Sequence, residues 1–195
     1  MSSKFKLFSR RYNFKIKLII IIFLLNIIPA ISMAYEEPFY RLIEQNDIYE
    51  IRYYDERIVV QTKNTNENSG FRRLFNYISG QNNGSQKIAM TAPVTQSNDI
   101  MQFYLPSNFD ITNTPIPLDQ NVELSTVEEG YYAVIRYSGR SSNSNFLSHS
   151  NILQNELLVN GINILGKPIK ATYNGPFTPG FMRRNEAMFL IEWKS

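Results

Sequence analysis

Alternating and helical hydrophobic patterns follow one another along the first half of the chain. Residues 48–62 are rich in β-branched and aromatic side chains, which predicts one strand or a bulged pair of strands. After a polar loop, hydrophobic residues recur at the spacing of one helical face, with Gly80 as the expected end of the helix. That face consists of Phe71, Leu74, Phe75 and Ile78. Residues 86–94 and 100–105 have the alternation of two further strands.

The second half of the chain repeats this order of elements. The triplet Ile51-Arg52-Tyr53 recurs as Ile135-Arg136-Tyr137, in a strand that is followed by a helix and two more strands. We place these four elements at residues 132–137, 144–160, 168–173 and 187–193. Two β-α-β-β units joined by a proline-rich linker predict an α+β fold, in which a curved antiparallel sheet or open barrel packs against both helices. An unrelated α+β domain with a chance repeat of the triplet is the alternative.

The first 34 residues have the composition of an export signal. Residues 1–17 hold six basic side chains and no acidic one, and residues 18–28 form an apolar run that is too short for a membrane span of about 20 residues. The small residues Ser32 and Ala34 suit a signal peptidase, so we expect cleavage after Ala34 and no membrane span in the mature chain. The domain would then comprise residues 35–195, in a periplasm or outside the cell. A membrane anchor formed by an uncleaved N-terminus is the alternative.

Removal of this leader reverses the sign of the net charge. The whole chain has 20 basic and 17 acidic residues, and without the six basic residues of the leader 14 basic residues remain against 17 acidic ones. The resulting net charge of −3 does not predict the basic surface that binding to nucleic acid requires. The chain has no cysteine, so neither disulfides nor thiolate ligands are available.

The residues that commonly perform catalysis form no recognisable constellation, so we expect a protein that is not an enzyme. His149 is the only histidine, which excludes any site that needs two imidazoles. As a metal ligand it is a weak candidate, because it lies about 90° from the centre of the hydrophobic stripe of its predicted helix. A solvated or half-buried histidine at the helix edge is the other interpretation.

Two aromatic segments support ligand binding better. Residues 176–182, which we call the late loop, combine aromatic and apolar side chains with prolines and a glycine, and Arg183 and Arg184 follow directly. On the first helix, Arg72 and Arg73 lie beside the hydrophobic face. A planar amphipathic ligand needs apolar surface for its ring and forked cationic donors for carboxylates at its rim. In the alternative interpretation the aromatic residues form the core and the arginines cap carboxylates or helix ends.

Two motifs and the first helix resemble the SOUL family of haem-binding proteins, in the same order along the chain. The motifs are Lys87-x-x-Met90-Thr91-Ala92-Pro93-Val94 and Arg183-Arg184-Asn185-Glu186, and the helix, with residues 75–82, is a weaker match. The resemblance covers residues 40–193. It implies a distorted antiparallel β-barrel built from two β-α-β-β repeats, with two main helices packed on it. It also implies non-covalent binding of haem or a related tetrapyrrole in a shallow groove between the first helix and the late loop.

Carried over to this sequence, the resemblance implies a set of groove residues. They are Phe71, Arg72, Leu74, Phe75, Ile78, Phe177, Met182 and Arg183. Some relatives have a methionine and a lysine where this chain has Phe75 and Asn76, and some are proposed to use a histidine near the start of the fold, where this chain has none. Haem would then bind without a protein axial ligand, or through a tyrosine.

The role implied by the resemblance is that of an exported carrier, buffer or scavenger of tetrapyrroles. Two other functions stay open. One is a secreted protein-interaction module that keeps the fold, has lost haem binding and recognises a protein partner. The other is a pocket for different flat aromatic cations or anions, because folds outlive their ligands.

Overall fold

The computed structural model describes residues 35–63 and 67–194. Within these ranges the chain forms ten strands and two α-helices, with one short 3₁₀ turn in the late loop. In chain order the elements are β1 (Arg41–Gln45), β2 (Glu50–Tyr54), β3 (Arg57–Lys63), α1 (Glu67–Ile78), β4 (Val94–Ser97), β5 (Ile100–Tyr104), β6 (Val122–Val127), β7 (Gly130–Tyr137), α2 (Asn143–Val159), β8 (Asn163–Ile164), β9 (Ile169–Thr172), the 3₁₀ turn (Gly180–Met182) and β10 (Asn185–Glu192).

The strands form one curved antiparallel sheet. Its order is β1-β2-β7-β10-β9-β4-β5-β3-β6, and β8 pairs with β10 away from this path. Leaving β1 aside, the order reads the same from both ends when β2 is exchanged with β6, β3 with β7, β4 with β9 and β5 with β10. The two halves of the chain are therefore related by an approximate twofold between β4 and β9. The predicted α+β fold, a distorted antiparallel barrel of two repeats with two helices on it, is confirmed.

The triplet that suggested the duplication does not mark equivalent strands. Ile51-Arg52-Tyr53 lies on β2, which is a hydrogen-bonded neighbour of β7, with Ile51 opposite Ala133. The counterpart of β7 by sheet order is β3, and each repeat has an extra strand before its β-α-β-β unit. The duplication was predicted correctly, although the triplet matched β7 with β2 and the sheet order matches β7 with β3.

The two helices cover one face of the sheet. Side chains on a strand alternate between faces, so the odd-numbered residues of β7 and β10 point to α2 and the even-numbered ones point away. Around α2 the buried cluster includes Ile51, Ala133, Leu153, Leu157 and Phe189, and around α1 it includes Val60, Leu74, Tyr77, Met101 and Phe103. A third cluster fills the opposite face with Tyr54, Tyr132, Val134, Ala171 and Met188.

Two element predictions need correction. The strand predicted over residues 86–94 exists only from Val94, because the residues before it bond to chain segments other than a neighbouring strand. The amide of Ala92, for example, donates to the carbonyl of Glu36. Strands β1, β6 and β8 were not predicted. Among the described residues, no helix is both long and apolar enough to cross a membrane.

Candidate functional site

The predicted hydrophobic face of α1 is divided between core and surface. Leu74 and Ile78 are buried against the sheet, together with Tyr77. Phe71 and Phe75 are 42% and 48% exposed, and their rings stack with centroids 6.0 Å apart and planes 13° from parallel. The ring of Phe71 is also fixed from below by an edge contact with Phe103 at 5.2 Å. The helix therefore presents two ordered aromatic rings to solvent.

Two arginines lie next to this aromatic pair. Arg72 is exposed and directly follows Phe71 in the sequence. Arg72 and Phe75 are three positions apart, so their side chains are neighbours on the helix surface. Arg73 is half-buried and donates to the carbonyl of Lys63 at 3.3 Å. Of the two guanidinium groups, that of Arg72 is the one available to a ligand on the aromatic pair.

The late loop presents a second apolar surface. Phe177, Phe181 and Met182 are 98%, 82% and 63% exposed. The loop packs on the turn between β7 and α2, where the amide of Gly139 donates to the carbonyl of Gly180 at 2.9 Å. Gly139 has a φ of 97°, a conformation that favours glycine at this turn. The exposed side chains are thus held on an ordered backbone.

Arg183 supports the late loop from inside. Its Nε donates to the carbonyl of Thr178 at 2.7 Å, and its Nη2 donates to the carbonyl of Pro176. These bonds occupy most of the fork that the resemblance assigned to a ligand carboxylate. The alternative, in which the arginines cap carboxylates or helix ends, does not describe Arg183, because its acceptors are carbonyls of the loop before the 3₁₀ turn.

Replacing Arg183 with methionine will loosen the late loop without unfolding the domain. Two hydrogen bonds of about 1 kcal/mol each are lost from a segment that can open locally. We expect chymotrypsin to cut after Phe177 or Phe181 about 10-fold faster, while the free energy of unfolding changes by less than about 1 kcal/mol. Arg140→Met, which changes an exposed arginine of the adjoining turn, is the control. Equal cleavage rates in the two variants would show that Arg183 does not hold the loop.

The rest of the second motif forms a buried ion network. Glu186 on β10 is fully buried and accepts hydrogen bonds from Arg52, Arg184 and Tyr173. The distances are 3.0 Å from Arg52 Nη1, 3.0 Å from Arg184 Nη2 and 2.7 Å from the Tyr173 hydroxyl. Arg184 also pairs with Glu37 at 2.8 Å, and its guanidinium carbon lies 3.7 Å from the centre of the Tyr173 ring. The network joins β2, β10 and the start of the described chain.

The charges of the network decide the protonation of Glu186. Burial by itself would raise the pKa of this carboxyl group, but Arg52 and Arg184 outweigh burial and hold the pKa below its ordinary value. Burial, followed by the charge of Glu186, raises the pKa of Tyr173, so its hydroxyl stays protonated and donates. Sequence analysis missed this network. Its only signal was an acid two positions after an arginine in an apolar strand, since residues i and i+2 share a face.

The first motif holds the start of the described chain. The backbone of Thr91 pairs with Glu36 in an isolated parallel bridge, and the Thr91 hydroxyl donates to the carbonyl of Tyr104 at 2.6 Å. The carboxylate of Glu36 in turn accepts from the amide of Ser107 at 2.7 Å. Both motifs that carry the family resemblance therefore have architectural roles in this structure.

His149 lies at the edge of α2. Its ring stacks on Tyr137 with centroids 4.1 Å apart, and its Nδ1 donates to the carbonyl of Asn145 at 2.8 Å. The residue is half-buried, which agrees with the helix-edge interpretation. In the described part of the chain, no group of three or more His, Cys, Asp or Glu residues is placed to hold a metal ion.

The structure places the predicted site residues in two groups. Phe71, Arg72 and Phe75 share the surface of α1, whereas Phe177, Met182 and Arg183 belong to the late loop on the turn before α2. Between these six residues, no hydrogen bond, ion pair or ring contact crosses from one group to the other. A groove shared by both groups stays a prediction.

Known proteins that are similar to this chain agree on one family. A family model described as SOUL heme-binding protein matches residues 35–190. Heme-binding protein 2 of Homo sapiens is 28% identical in a match that covers 84% of this chain and 89% of that protein. Heme-binding protein 1 of Xenopus laevis is 26% identical in a match that covers 62% of this chain and 68% of that protein.

Solved structures with the same fold are more distant in sequence. The C-terminal domain of EcmrR has a TM-score of 0.52 at 14% identity, covering 79% of this chain and 98% of that domain. A hydrolase encoded by lin2189 from Listeria innocua has a TM-score of 0.53 at 10% identity, covering 74% of this chain and 92% of that structure. At these identities the likeness shows the fold alone.

Proposed function

Because the chain belongs to the SOUL heme-binding protein family, we propose that it binds haem or a related tetrapyrrole without a covalent bond. The observation that carries the proposal is the stacked, exposed pair Phe71 and Phe75 beside the exposed guanidinium of Arg72. Aromatic rings held on a rigid helix give a porphyrin a stacking surface, and an arginine at its edge gives a propionate a partner.

The residues present fit the porphyrin and its carboxylates better than they fit the iron. Neither Phe71, Phe75 nor Arg72 carries a group that ligates haem iron. In the late loop, Met182 supplies an exposed thioether, which is one of the side chains that ligate haem iron in proteins. We propose that ring stacking and pairing with propionates supply most of the affinity, and that the apolar side chains of the late loop add to it.

Titration of the purified protein with haemin tests the proposal directly. We expect a saturable shift of the Soret band at micromolar protein, with one haemin per chain at the end point. A spectrum that changes only in proportion to added haemin, as it does in buffer, would contradict the proposal.

Iron contributes little to this mode of binding, so metal-free protoporphyrin IX will bind within about threefold of haemin. A difference of about tenfold, or 1.4 kcal/mol, is the least that we would ascribe to an axial ligand. Tryptophan and porphyrin fluorescence give the affinity of the metal-free ligand. Met182→Leu and His149→Ala are the matched variants, and both should leave the haemin spectrum unchanged. A spectral change in either variant would identify an iron ligand and refute this mode.

We propose a non-enzymatic role as carrier, buffer or scavenger after export. The expected signal peptide, residues 1–34, lies outside the described residues. The signal peptide is supported by the sequence of this segment, in which basic residues precede an apolar run. The intact mass of the exported protein tests this part of the proposal, because cleavage after Ala34 gives a chain that begins at Tyr35. A mass that includes Met1 would favour the membrane-anchored alternative.

The exposure of the late loop also favours a second candidate, a protein-interaction module. Phe177 and Phe181 are both almost fully exposed and lie on the same loop, and exposed apolar side chains that group together are typical of interaction sites. This candidate requires indifference to haemin and a defined partner whose capture is lost in Phe177→Ser. Saturable haemin binding together with unchanged capture would remove its support.

A further inference from the structure

The two edge strands of the sheet differ in how they are protected against pairing with another chain. The register of β1 with β2 shifts between Leu42 and Glu44, and a bulge of this kind makes an edge irregular. The other edge strand, β6, pairs with β3 at six consecutive positions without a shift, and it contains neither proline nor lysine. The free side of β6 therefore lacks the usual devices that keep a second strand away.

The free side of β6 carries backbone groups that point away from the sheet. In an antiparallel pair, successive residues bond alternately to one side and to the other. The amide of Leu105 donates to the carbonyl of Ile58, so the even-numbered residues of β3 bond towards β5 and the odd-numbered ones towards β6. On β6, Leu124 and Thr126 consequently point outward, and no described strand pairs with them there.

The two faces of β6 differ in polarity. Val122 is buried in the cluster around α1, and Leu124 packs against the same cluster. Glu123 and Ser125 lie on the opposite face. A strand that extends the sheet here must present apolar residues on the helix face and polar residues on the other. A second copy of β6 meets this requirement, because a twofold axis perpendicular to the sheet leaves each face on its own side.

A row of hydrogen-bonded side chains on the polar face ends at this edge. The hydroxyl of Thr95 donates to Gln102 at 3.3 Å, and Gln102 donates to Gln61 at 2.8 Å. Gln61 donates to Glu123 at 2.8 Å, so the exposed carboxylate of Glu123 is the last acceptor of the row. The hydroxyl of Ser125 makes no hydrogen bond with the described residues. The edge thus offers an acceptor with spare capacity beside an unused donor.

The sequence of β6 selects one register for two copies. When Leu124 of one copy faces Leu124 of the other, Glu123 lies opposite Ser125 of the partner subunit, and each hydroxyl can donate to a carboxylate. A shift by one pair in one direction sets Glu123 against its own copy, and like charges directly opposite each other are destabilising. A shift in the other direction sets Ser125 against its own copy and Glu123 against an apolar Val127.

We propose that the free side of β6 is an interface between two copies of this chain, which pair antiparallel through β6 and form one continuous sheet. Leu124 lies at the twofold axis, and two hydrogen bonds between Ser125 and Glu123 connect the polar rows of the two domains. Both copies of α1 lie on the same face of the extended sheet. The inference does not depend on haem binding.

Size-exclusion chromatography with light scattering tests the association on the unaltered protein. At about 100 µM protein we expect twice the mass of one chain, and below about 1 µM the mass of one chain, because a single strand pair is a small interface. The mass of one chain at the higher concentration would overturn the proposal.

Charge variants of Ser125 test the register. Ser125→Glu places two carboxylates opposite each other twice in the dimer and should weaken association about 10-fold or more. Ser125→Lys places a cation opposite Glu123 and should strengthen association about threefold. Gln45→Glu, at an exposed position of β1, is the control and should change association less than twofold. Thermal unfolding verifies that each variant is folded. If both Ser125 variants associate as Gln45→Glu does, the proposal is wrong.

A single introduced cysteine tests the position of the axis, because the chain has none of its own. In the proposed register the two copies of Leu124 form a hydrogen-bonded pair with Cα atoms about 5.5 Å apart, a distance that a disulfide spans. Leu124→Cys should therefore form a disulfide-linked dimer on mild oxidation about 10-fold faster than Thr126→Cys, which would face Val122 of the partner subunit. Equal rates, with association retained, would place the interface elsewhere and refute the proposal.

The haemin titration separates this inference from the proposed function. Ser125→Glu should bind haemin within twofold of the unaltered protein, since the interface is on β6 and the stacked rings are on α1. A protein that binds haemin and stays monomeric contradicts only the inference of a dimer. A dimer that does not bind haemin contradicts only the proposed function.

Discussion

Glu186→Gln will lower the free energy of unfolding by about 3–5 kcal/mol, the usual effect of removing one partner from a buried ion pair. The carboxylate is fully buried and faces the guanidinium groups of Arg52 and Arg184, of which Arg52 is itself only 2% exposed. Glutamine has nearly the same shape as glutamate, so the substitution leaves almost no cavity and costs little in packing. The loss comes from two cations that keep their desolvation cost and have only the partly exposed carboxylates of Glu50 and Glu37 left to offset it.

Urea denaturation followed by circular dichroism measures this loss. Glu192→Gln is the matched control, because Glu192 is on the same strand and exposed, and it should cost less than about 0.5 kcal/mol. Arg52→Met combined with Glu186→Gln should be more stable than the sum of the two single effects, since the residues share one network. Similar stabilities for Glu186→Gln and Glu192→Gln would mean that the network contributes nothing net.

The same carboxylate makes stability dependent on pH in the acid range. Because the folded-state pKa of Glu186 is below its ordinary value of 4.5, its contribution is complete above that value and is lost as the pH falls through the lower, folded-state pKa. The unaltered protein should therefore lose stability below about pH 4.5, more steeply than Glu186→Gln does. Curves with the same slope for both proteins would exclude Glu186 as the group responsible.

The double variant Phe71→Asp/Phe75→Asp will weaken haemin binding by about 30-fold or more, which corresponds to about 2 kcal/mol. Both rings would otherwise be covered by the porphyrin, and two carboxylates in their place would repel the propionates. The Soret titration that tests the proposed function also measures this loss. Because Phe71 contacts Phe103, the single variant Phe75→Asp is measured as well, and it should show a large part of the effect.

Leu158→Asp is the control for this variant. Leu158 is an exposed apolar residue of a helix, like Phe75, but it lies near the end of α2. Its replacement should leave the haemin affinity within twofold. Unchanged affinity in both Phe75→Asp and the double variant would place the haem elsewhere on the protein, and an equal loss in Leu158→Asp would indicate an unspecific effect of charge.

Elements with a strong internal period could be predicted from the sequence. The helices and the strand β5 were located within a few residues, because hydrophobic spacing is a local property of the chain. Exposure within a helical face is not local. Phe71 and Phe75 have the same spacing as Leu74 and Ile78, and only the position of the sheet beneath α1 decides which of them are covered.

The candidate sites depend still more on distant parts of the chain. Arg183 and Arg184 are adjacent and look equivalent in the sequence, yet one bonds to the late loop and the other enters the network of Glu186. Residues 36–39, 55–58 and 104–111 line one cleft, although no local pattern of the sequence connects these three segments. Such sites could not be predicted until the strand order was known.

The palindromic strand order has a consequence for how the two repeats hold together. β2 belongs to the first repeat but pairs with β7 of the second, and β6 belongs to the second repeat but pairs with β3 of the first. The first strand of each repeat is therefore hydrogen-bonded to a strand of the other repeat. Neither repeat can complete its own sheet, so the halves are obliged to fold as one cooperative unit through contacts between remote parts of the chain.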